Sequence, residues 1–156
     1  MSRKKKIEHK IIKEDPIYKS TIINMIINNI LLHGKRNTAQ NILYEALNNI
    51  QQSSNLDPLE TINKAIKNTT PIVELKSRRI GGATYQVPIE IKPKRGLSLA
   101  IKLIVKSARK RPGKNMITKL ENELIDAYNN TGNSVKRKEE LHKIADANKA
   151  FSNIRF

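Results

Sequence analysis

Apolar residues recur every three or four positions in six stretches of this 156-residue chain, the spacing that places side chains on one face of an α-helix. The first stretch lies within Pro16 to His33. It has asparagines on its other face, Asn24 among them, and Gly34 follows as a stop signal. Its apolar positions are Ile22, Ile23, Ile26, Ile27, Ile30 and Leu31. We interpret this segment as a central core helix.

Two more helices are predicted before residue 71. The second runs roughly from Thr38 to Gln52 and carries a clean apolar stripe. The third begins at Asp57-Pro58, because an aspartate can accept from an unpaired backbone N–H and a proline needs no donor at the first helical position. Glu60 completes the pattern of a capping box, and Thr70-Pro71 ends this helix.

The same spacing predicts three helices in the second half of the chain. The first of these carries apolar positions from 97 to 108 and ends at 111–113, and the next carries them from 117 to 128 and ends before Gly132. The last runs from about Ser134 to Ala147. Its inward positions are expected to be Val135, Leu141, Ile144 and Ala145.

Between the third and fourth helices the apolar period changes to two, which is typical of β-strands. The two strands flank Gly81-Gly82, where a positive φ costs glycine nothing, so the pattern predicts a β-hairpin. A two-residue loop would pair Leu75 with Pro88. A three-residue loop would pair Leu75 with Ile89 and Val73 with Ile91, and the match of apolar partners favours that register.

The predicted fold is therefore mainly α, a six-helix domain with a protruding β-hairpin between the third and fourth helices. Residues 16–156 are interpreted as a single helical domain, with the hairpin at about 72–92. Residues 1–15 are expected to be a basic arm that orders on a partner, and the alternative is a solvated tail.

Charge narrows the choice of partners. The chain has 30 Lys and Arg against 14 Asp and Glu, a formal net charge of +16. This excess favours a strongly anionic partner, with nucleic acid ahead of an anionic membrane surface. There are no cysteines, which excludes disulfides and thiolate metal sites. No apolar run approaches the roughly 18 residues of a membrane span, and the basic start of the chain lacks the features of a secretory signal.

The sequence contains no convincing catalytic or cofactor motif. Gly34-Lys35-Arg36 lacks the spacing and the Ser or Thr of a phosphate-binding loop, and Gly81-Gly82 lacks a dinucleotide-binding pattern. The three histidines are far apart, and the acidic residues lie beside lysines, where solvated ion pairs explain them. We therefore expect no enzyme activity, no cofactor, no metal and no small-molecule substrate.

Basic residues cluster at the ends of predicted elements and in loops. Such a distribution suits a folded RNA around the protein better than a double helix read by one recognition helix. The candidate RNA-binding residues are Arg3, Lys4, Lys5, Lys6, Lys10, Lys35, Arg36, Lys76, Arg78, Arg79, Lys92, Lys94, Arg95, Arg109, Lys110, Arg111, Lys114, Lys136, Arg137 and Lys138. Tyr85, near the hairpin tip, is a candidate for base stacking or for cross-strand packing.

Three other functions fit parts of this pattern. A free-standing RNA chaperone or nucleoid-like protein shares the charge, but it should bind many RNAs with similar affinity. An enzyme acting on RNA needs a catalytic cluster that the sequence lacks. A membrane-surface protein needs an exposed basic amphipathic helix, whereas mutual packing explains these apolar stripes.

Several motifs resemble one known family. TPIVELKSRRIGGATYQVPIEI, from Thr70 to Ile91, is similar to the hairpin signature of the small-subunit ribosomal protein seven family. Other matching motifs, in the same order along the chain, are DPIY at 15–18, HGKR at 33–36, ARKRPGKNM at 108–116 and VKRKEELHKIADANKAF at 135–151. They look most like plastid versions, which fits a composition rich in Lys, Asn and Ile, the residues of A/T-rich codons.

The resemblance implies a primary rRNA-binding protein of the 3′ major domain that helps nucleate the head of the small subunit. It implies that the basic motifs hold rRNA, and that neighbouring head and platform proteins lie close by. It also places the hairpin tip near the exit-site tRNA and the mRNA exit path. The tip residues are Arg78, Arg79, Gly81, Gly82 and Tyr85. A plastid ribosome is the expected location, with the bacterial cytoplasm as the alternative.

Overall fold

The computed structural model describes residues 13–80 and 82–150. In that part of the chain, the elements are α1 (Thr21–Ile30), α2 (Arg36–Ser54), α3 (Pro58–Thr69), β1 (Val73–Ile80), β2 (Ala83–Glu90), α4 (Pro93–Lys110), α5 (Met116–Tyr128) and α6 (Gly132–Ala147). This order confirms the predicted six-helix fold with a hairpin between the third and fourth helices.

The core lies where α1 to α5 pack together, and apolar stripes from all five helices meet in it. Its largest fully buried apolar side chains are Ile23, Ile27, Leu43, Leu47, Ile50, Ile62, Ile101, Leu120 and Leu124. Burying aliphatic side chains of this size stabilises the folded state by roughly 1.5–3 kcal/mol each. Mutual packing therefore accounts for the stripes that the sequence shows.

Helix α3 begins with the predicted Asp57 cap and Pro58, but the Glu60 side chain does not complete the capping box with a bond back to Asp57. The carboxylate of Asp57 accepts from the backbone N–H of Glu60 at 2.9 Å, and Pro58 occupies the first helical position. The helix ends at Thr69, one residue before Thr70.

Helix α1 is shorter than its apolar pattern predicts, because the residues before Thr21 form a turn around Asp15. The Asp15 side chain is 1% exposed, and its Oδ2 accepts from the backbone N–H groups of Ile17 and Tyr18. Its Oδ1 accepts from the hydroxyl of Tyr44 on α2 at 2.6 Å. This turn explains the DPIY motif physically, since the aspartate shapes the chain that leads into α1.

The hairpin register predicted from apolar matching is wrong. Leu75 lies opposite Pro88 and Lys76 lies opposite Val87, which is the register of a two-residue loop. Such a loop is favoured because its twist matches that of the strands. The prediction assumed one apolar face, whereas Leu75 and Val87 lie on opposite faces and Val87 is buried.

Two side-chain predictions also need correction. Ile144 was expected to face inward on α6, but it is 45% exposed. Asn24 was expected on a polar face, but it is buried: its Nδ2 donates to the carbonyl of Lys13 and its Oδ1 accepts from Arg36. Periodicity alone misplaces both residues, because it does not reveal which neighbours cover each face.

The base of the hairpin is fixed to the helical body by close packing. A side chain at Gly96, on α4, would place its Cβ 3.0 Å from a methyl group of Thr70. The backbone N–H of Ile72 also donates to Nε2 of His142 on α6 at 3.1 Å. The first contact packs α4 against the end of α3. The His142 bond, together with the ion pair between Arg95 on α4 and Glu74 on β1, fixes the hairpin base between α4 and α6.

No helix among residues 13–80 and 82–150 is long and apolar enough to cross a membrane.

Candidate nucleic-acid interface

Helix α4 carries a row of cations of which the sequence analysis identified only Arg109. Lys102, Lys106 and Arg109 follow one another at intervals of four and three, so they lie on one face of the helix, and all three are exposed. Lys110 is adjacent. The spacing of these residues in the sequence already places them on one helix face.

Two clefts flank this row. One, of about 370 Å³, lies against α1 and is lined by Asn29, Lys102, Val105, Lys106 and Arg109. The other, also about 370 Å³, lies between α4 and α6 and includes Lys106, Lys110, Lys136, Arg137 and Glu140. We define the α4–α6 basic surface as Lys102, Lys106, Arg109, Lys110, Lys136 and Arg137. It joins two sequence-predicted clusters that are separated by all of α5.

Arg109 has a structural partner as well as an exposed position. Its Nη2 donates to the carbonyl oxygens of Asn29 and Ile30 at 3.2 and 3.0 Å. These carbonyls belong to the last turn of α1, where backbone acceptors lack helical partners and a cation is favoured. Arg109 therefore connects α4 to α1 while lying beside the cleft.

Arg111, the next arginine of the same run, is bound inside the protein. Its Nε donates to Oε2 of Glu123 at 2.6 Å, and its Nη2 contacts Asp126. Oε1 of Glu123 accepts from the backbone N–H of Ser134, in the first turn of α6, at 2.8 Å. Burial lowers the pKa of Arg111, but the hydrogen bonds that its guanidinium donates to Asp126 and Glu123 outweigh that effect and leave the pKa raised. Both guanidinium bonds thus join α5 to the loop after α4.

Glu123 is an exception to the expectation that acidic residues form solvated ion pairs. It is 0% exposed. Glu140 fits the expectation, because it pairs with Arg137 at 2.6 Å while both side chains are exposed. Sequence reasoning could not distinguish the two, since each glutamate lies on a helix with basic neighbours.

The two arginines of the hairpin point to opposite faces. Adjacent residues of a strand alternate sides, and Arg78 lies opposite Tyr85 while Arg79 lies opposite Thr84. Both arginines are exposed. Gly82 has a φ of 91°, the left-handed region that favours glycine. The hairpin end therefore presents one guanidinium on each side.

The start of α4 concentrates positive charge beside the hairpin base. Lys92, Lys94 and Arg95 are exposed at this helix N-terminus, where the backbone already favours anions. Arg95 pairs with Glu74 at 2.6 Å and Lys76 pairs with the same carboxylate at 3.5 Å. The hydrogen bond from Arg95 is the main cause that lowers the pKa of Glu74. One acidic group thus orients two of the predicted cations.

The other predicted residues are more scattered. Arg36 donates to Asn24 and Asn28 at 2.8 and 3.4 Å, which ties the start of α2 to α1, and Lys35 is exposed beside it. Lys114 is exposed in the loop after α4. Lys138 donates to the carbonyl of Asn68 at 2.6 Å. Those outside the described residues are Arg3, Lys4, Lys5, Lys6, Lys10 and Gly81.

The arrangement can bind phosphates through cations and backbone donors. Most of the described candidates are exposed lysines and arginines on α4, α6 and the hairpin, and these side chains supply point charges and bidentate forks for phosphate oxygens. Over the ranges that the structure describes, no group of three or more His, Asp or Glu side chains is placed to hold a metal ion.

Comparisons with a protein family and with individual proteins both match nearly the whole chain to small-subunit ribosomal proteins. Residues 2–149 match the family described as ribosomal protein S7p/S5e. The chain is 55% identical over 156 residues to the small ribosomal subunit protein uS7c of Euglena gracilis, with all of both chains covered. The small ribosomal subunit proteins uS7 of Acaryochloris marina and Thermosynechococcus vestitus are 47% and 46% identical over the same full length.

Proposed function

Since the chain belongs to the ribosomal protein S7p/S5e family, we propose that it binds the 3′ major domain of the small-subunit rRNA and nucleates the assembly of the subunit head. Members of this family are structural proteins of the ribosome, so the chain is a constituent of the small ribosomal subunit and not an enzyme.

The observation that carries the rRNA-binding role is the α4–α6 basic surface. Four of its cations, Lys106, Lys110, Lys136 and Arg137, line a cleft that has one acidic lining residue, Glu140, and that residue is paired with Arg137. The other two, Lys102 and Arg109, line the neighbouring cleft against α1. Clustered cations beside a concave surface favour a polyanion of matching shape. The candidate residues at the start of α2 and at the hairpin base extend this RNA contact.

The hairpin has a separate role in this proposal. Arg78 and Arg79 extend from opposite faces of a ribbon that is fixed at its base between α4 and α6. A ribbon held at one end can carry its cations to an RNA beyond the one that binds the helical body. We assign the hairpin tip to the neighbourhood of the exit-site tRNA and the mRNA exit path, and its flank to neighbouring head and platform proteins.

A plastid ribosome is the proposed location. The uS7c protein of Euglena gracilis shares 55% identity with the chain, against 46–47% for the cyanobacterial proteins. Mass spectrometry of purified plastid ribosomes tests this assignment. Recovery of the chain only from other ribosomes would overturn it.

The binding role is tested by measuring affinity for a 3′ major-domain rRNA fragment and for an unrelated structured RNA of equal length. Both affinities should fall as salt increases, because phosphate neutralisation releases counterions. At moderate salt the cognate fragment should bind about 10³-fold more tightly, the lower end of typical specific recognition. Coincident curves would instead favour a generic RNA chaperone, in which the same charge acts without a matching shape.

A further inference from the structure

A second group of cations lies on the other side of α6 from the α4–α6 basic surface. Lys64 and Lys67 on α3 and Lys138 on α6 line an open recess of about 610 Å³, together with Tyr128 and three asparagines near the ends of α3 and α5. Among the described residues that line it, none is acidic. We call this group the α3–α6 recess.

Contacts within the protein hold two of these lysines in place. Lys138 donates from Nζ to the carbonyl of Asn68 at 2.6 Å. Lys64 places its Nζ 3.8 Å from the centre of the Tyr128 ring, a cation–π contact. Asn68 in turn donates to the carbonyls of Ala127 and Tyr128 at 2.9 and 3.0 Å. Lys64 and Lys138 are therefore positioned before any ligand arrives.

We propose that the α3–α6 recess is a second RNA phosphate site, which takes the continuation of the strand bound at the α4–α6 basic surface. This inference rests on the proposed rRNA binding and adds a site to it. Lys64 and Lys67 are its principal contacts, since both are exposed and neither is needed by the α4–α6 basic surface.

The position of α6 makes one continuous strand feasible. Lys136 and Arg137 line the cleft on one side of the helix, and Lys138 lines the recess on the other. A helix with its side chains is about 10–12 Å wide. One strand of a duplex carries a phosphate about every 3.4 Å of axis, so about three or four phosphates span that width.

The chemistry of the recess favours nucleic acid over an acidic protein segment. Side-chain amides and tyrosine hydroxyls commonly contact phosphate and sugar in nucleic-acid complexes, and the recess presents both beside its lysines. Positive charge continues around the start of α6, from the cleft to the recess. This matches the regular charge of a nucleic-acid strand better than the charge of an acidic peptide.

The first test compares Lys64→Gln/Lys67→Gln with a matched control, Lys19→Gln/Lys143→Gln, whose exposed lysines line neither cleft. Affinity for the 3′ major-domain fragment is measured over a salt series. Loss of two phosphate contacts should reduce the slope of log affinity against log salt by about 1.4–1.8, from roughly 0.7–0.9 for each contact. The control pair should leave the slope within about 0.3 of wild type.

The second test maps the RNA strand itself. The chain has no cysteine, so Lys67→Cys and Lys136→Cys each provide a single attachment point for an iron chelate that cleaves nearby RNA. The proposal expects cleavage by both tethers within about five nucleotides on one strand, given the width of α6. Cleavage from position 136 alone would overturn it.

The outcomes separate this site from the proposed function. If wild type fails to prefer the cognate fragment, the proposed function fails. A second outcome is that wild type prefers the cognate fragment while the Lys64→Gln/Lys67→Gln variant shows the same salt slope of RNA binding as the control variant. In that case only the second site is excluded. A variant that keeps the RNA slope but loses binding to a poly-glutamate probe would assign the recess to an acidic protein, and that result also overturns the proposal.

Discussion

Arg111 and Glu123 form an ion pair with Nε and Oε2 2.6 Å apart, and the Glu123 side chain is fully buried. The same carboxylate accepts from the backbone N–H of Ser134 at the start of α6. One glutamate thus connects Arg111, which follows Lys110 at the end of α4, with the first turn of α6, which precedes Lys136. The pair orients the basic surface from within the protein.

Removing the carboxylate should therefore be costly. Arg111 keeps its pair with Asp126, so the cost is that of a buried hydrogen-bonding group losing its charged partner, about 1–3 kcal/mol. We expect Glu123→Gln to lower the free energy of unfolding by that amount. Urea denaturation measures the effect. The matched control is Glu140→Gln, which removes an exposed pair and should cost no more than about 1 kcal/mol. Equal losses in the two variants would contradict a structural role for Glu123.

A second prediction concerns two glycines with positive φ. Gly132 has a φ of 89°, and a Cβ added there would lie 2.8 Å from Cβ of Asp126. Gly34 has a φ of 74°, but an added Cβ meets nothing within 4 Å. Both alanine variants carry the backbone penalty of about 1–2 kcal/mol. Gly132→Ala should cost about 1–3 kcal/mol more, because overpacking adds to strain.

Thermal or urea unfolding of Gly132→Ala and Gly34→Ala compares the two costs directly. The difference isolates the steric term, since the backbone conformation is similar at both positions. If Gly34→Ala proves the more destabilising, the close approach of α5 to the start of α6 would not explain the glycine at 132.

A third prediction follows from the hydrogen bond between Tyr44 and Asp15. Burial, the bond to Asp15 and the charge of that carboxylate outweigh the opposing effect of Arg36 and raise the pKa of Tyr44 to about 12. A raised pKa means that this group's contribution to stability is fully present below about pH 10 and is lost as the pH rises towards about 12. Wild type should lose stability over this window, and its phenol absorbance should show a titration near pH 12.

The variant Tyr44→Phe tests this assignment. It should remove the late absorbance change and flatten the dependence of unfolding free energy on pH between about 10 and 12. Tyr85→Phe is the control, since it removes a tyrosine outside the Asp15 turn. A late titration that persists in Tyr44→Phe and vanishes in Tyr85→Phe would contradict the assignment.

The sequence predicted the elements well because local signals and core packing agreed. Asp57-Pro58 carries its own cap, and the apolar stripes of the helices meet in one core. The hairpin register was mispredicted, because it depends on which helices cover each face of the ribbon. Leu75, for example, lies beside Leu99 of α4 and Leu141 of α6, which are distant in the sequence. Local spacing does not encode that information.

The site was harder to predict than the fold. Arg109, Lys110 and Arg111 are adjacent and chemically similar, yet Arg111 turns inward to Glu123 while Lys110 is exposed. Only the tertiary position of α5 separates their roles. Lys102 and Lys106 were missed for another reason. Their regular spacing is typical of the solvent face of an amphipathic helix, and only the packing of α1 and α6 forms clefts on either side of them.

A fourth prediction separates the hairpin tip from the body. Arg78→Ala/Arg79→Ala should lower the occupancy of exit-site tRNA on assembled subunits about tenfold, because hydrogen bonds to charged groups contribute roughly 1.5–3 kcal/mol. Affinity for the 3′ major-domain fragment should change by less than about threefold. Filter binding measures both. Equal loss of tRNA and rRNA affinity would contradict separate roles for the hairpin tip and the helical body.

The last prediction concerns the row on α4. Lys102 and Lys106 are exposed, and no salt bridge joins either to an acidic group among the described residues, so Lys102→Gln/Lys106→Gln should leave the unfolding free energy within about 0.5 kcal/mol of wild type. The salt slope of rRNA binding should fall by about 1.4–1.8, as expected for two lost phosphate contacts. Arg111→Lys should do the reverse, lowering stability while changing the slope by less than about 0.5 as long as the protein is folded. A fall in slope for Arg111→Lys as large as that for the α4 pair would place Arg111 in direct contact with RNA, contrary to its bonds with Glu123 and Asp126.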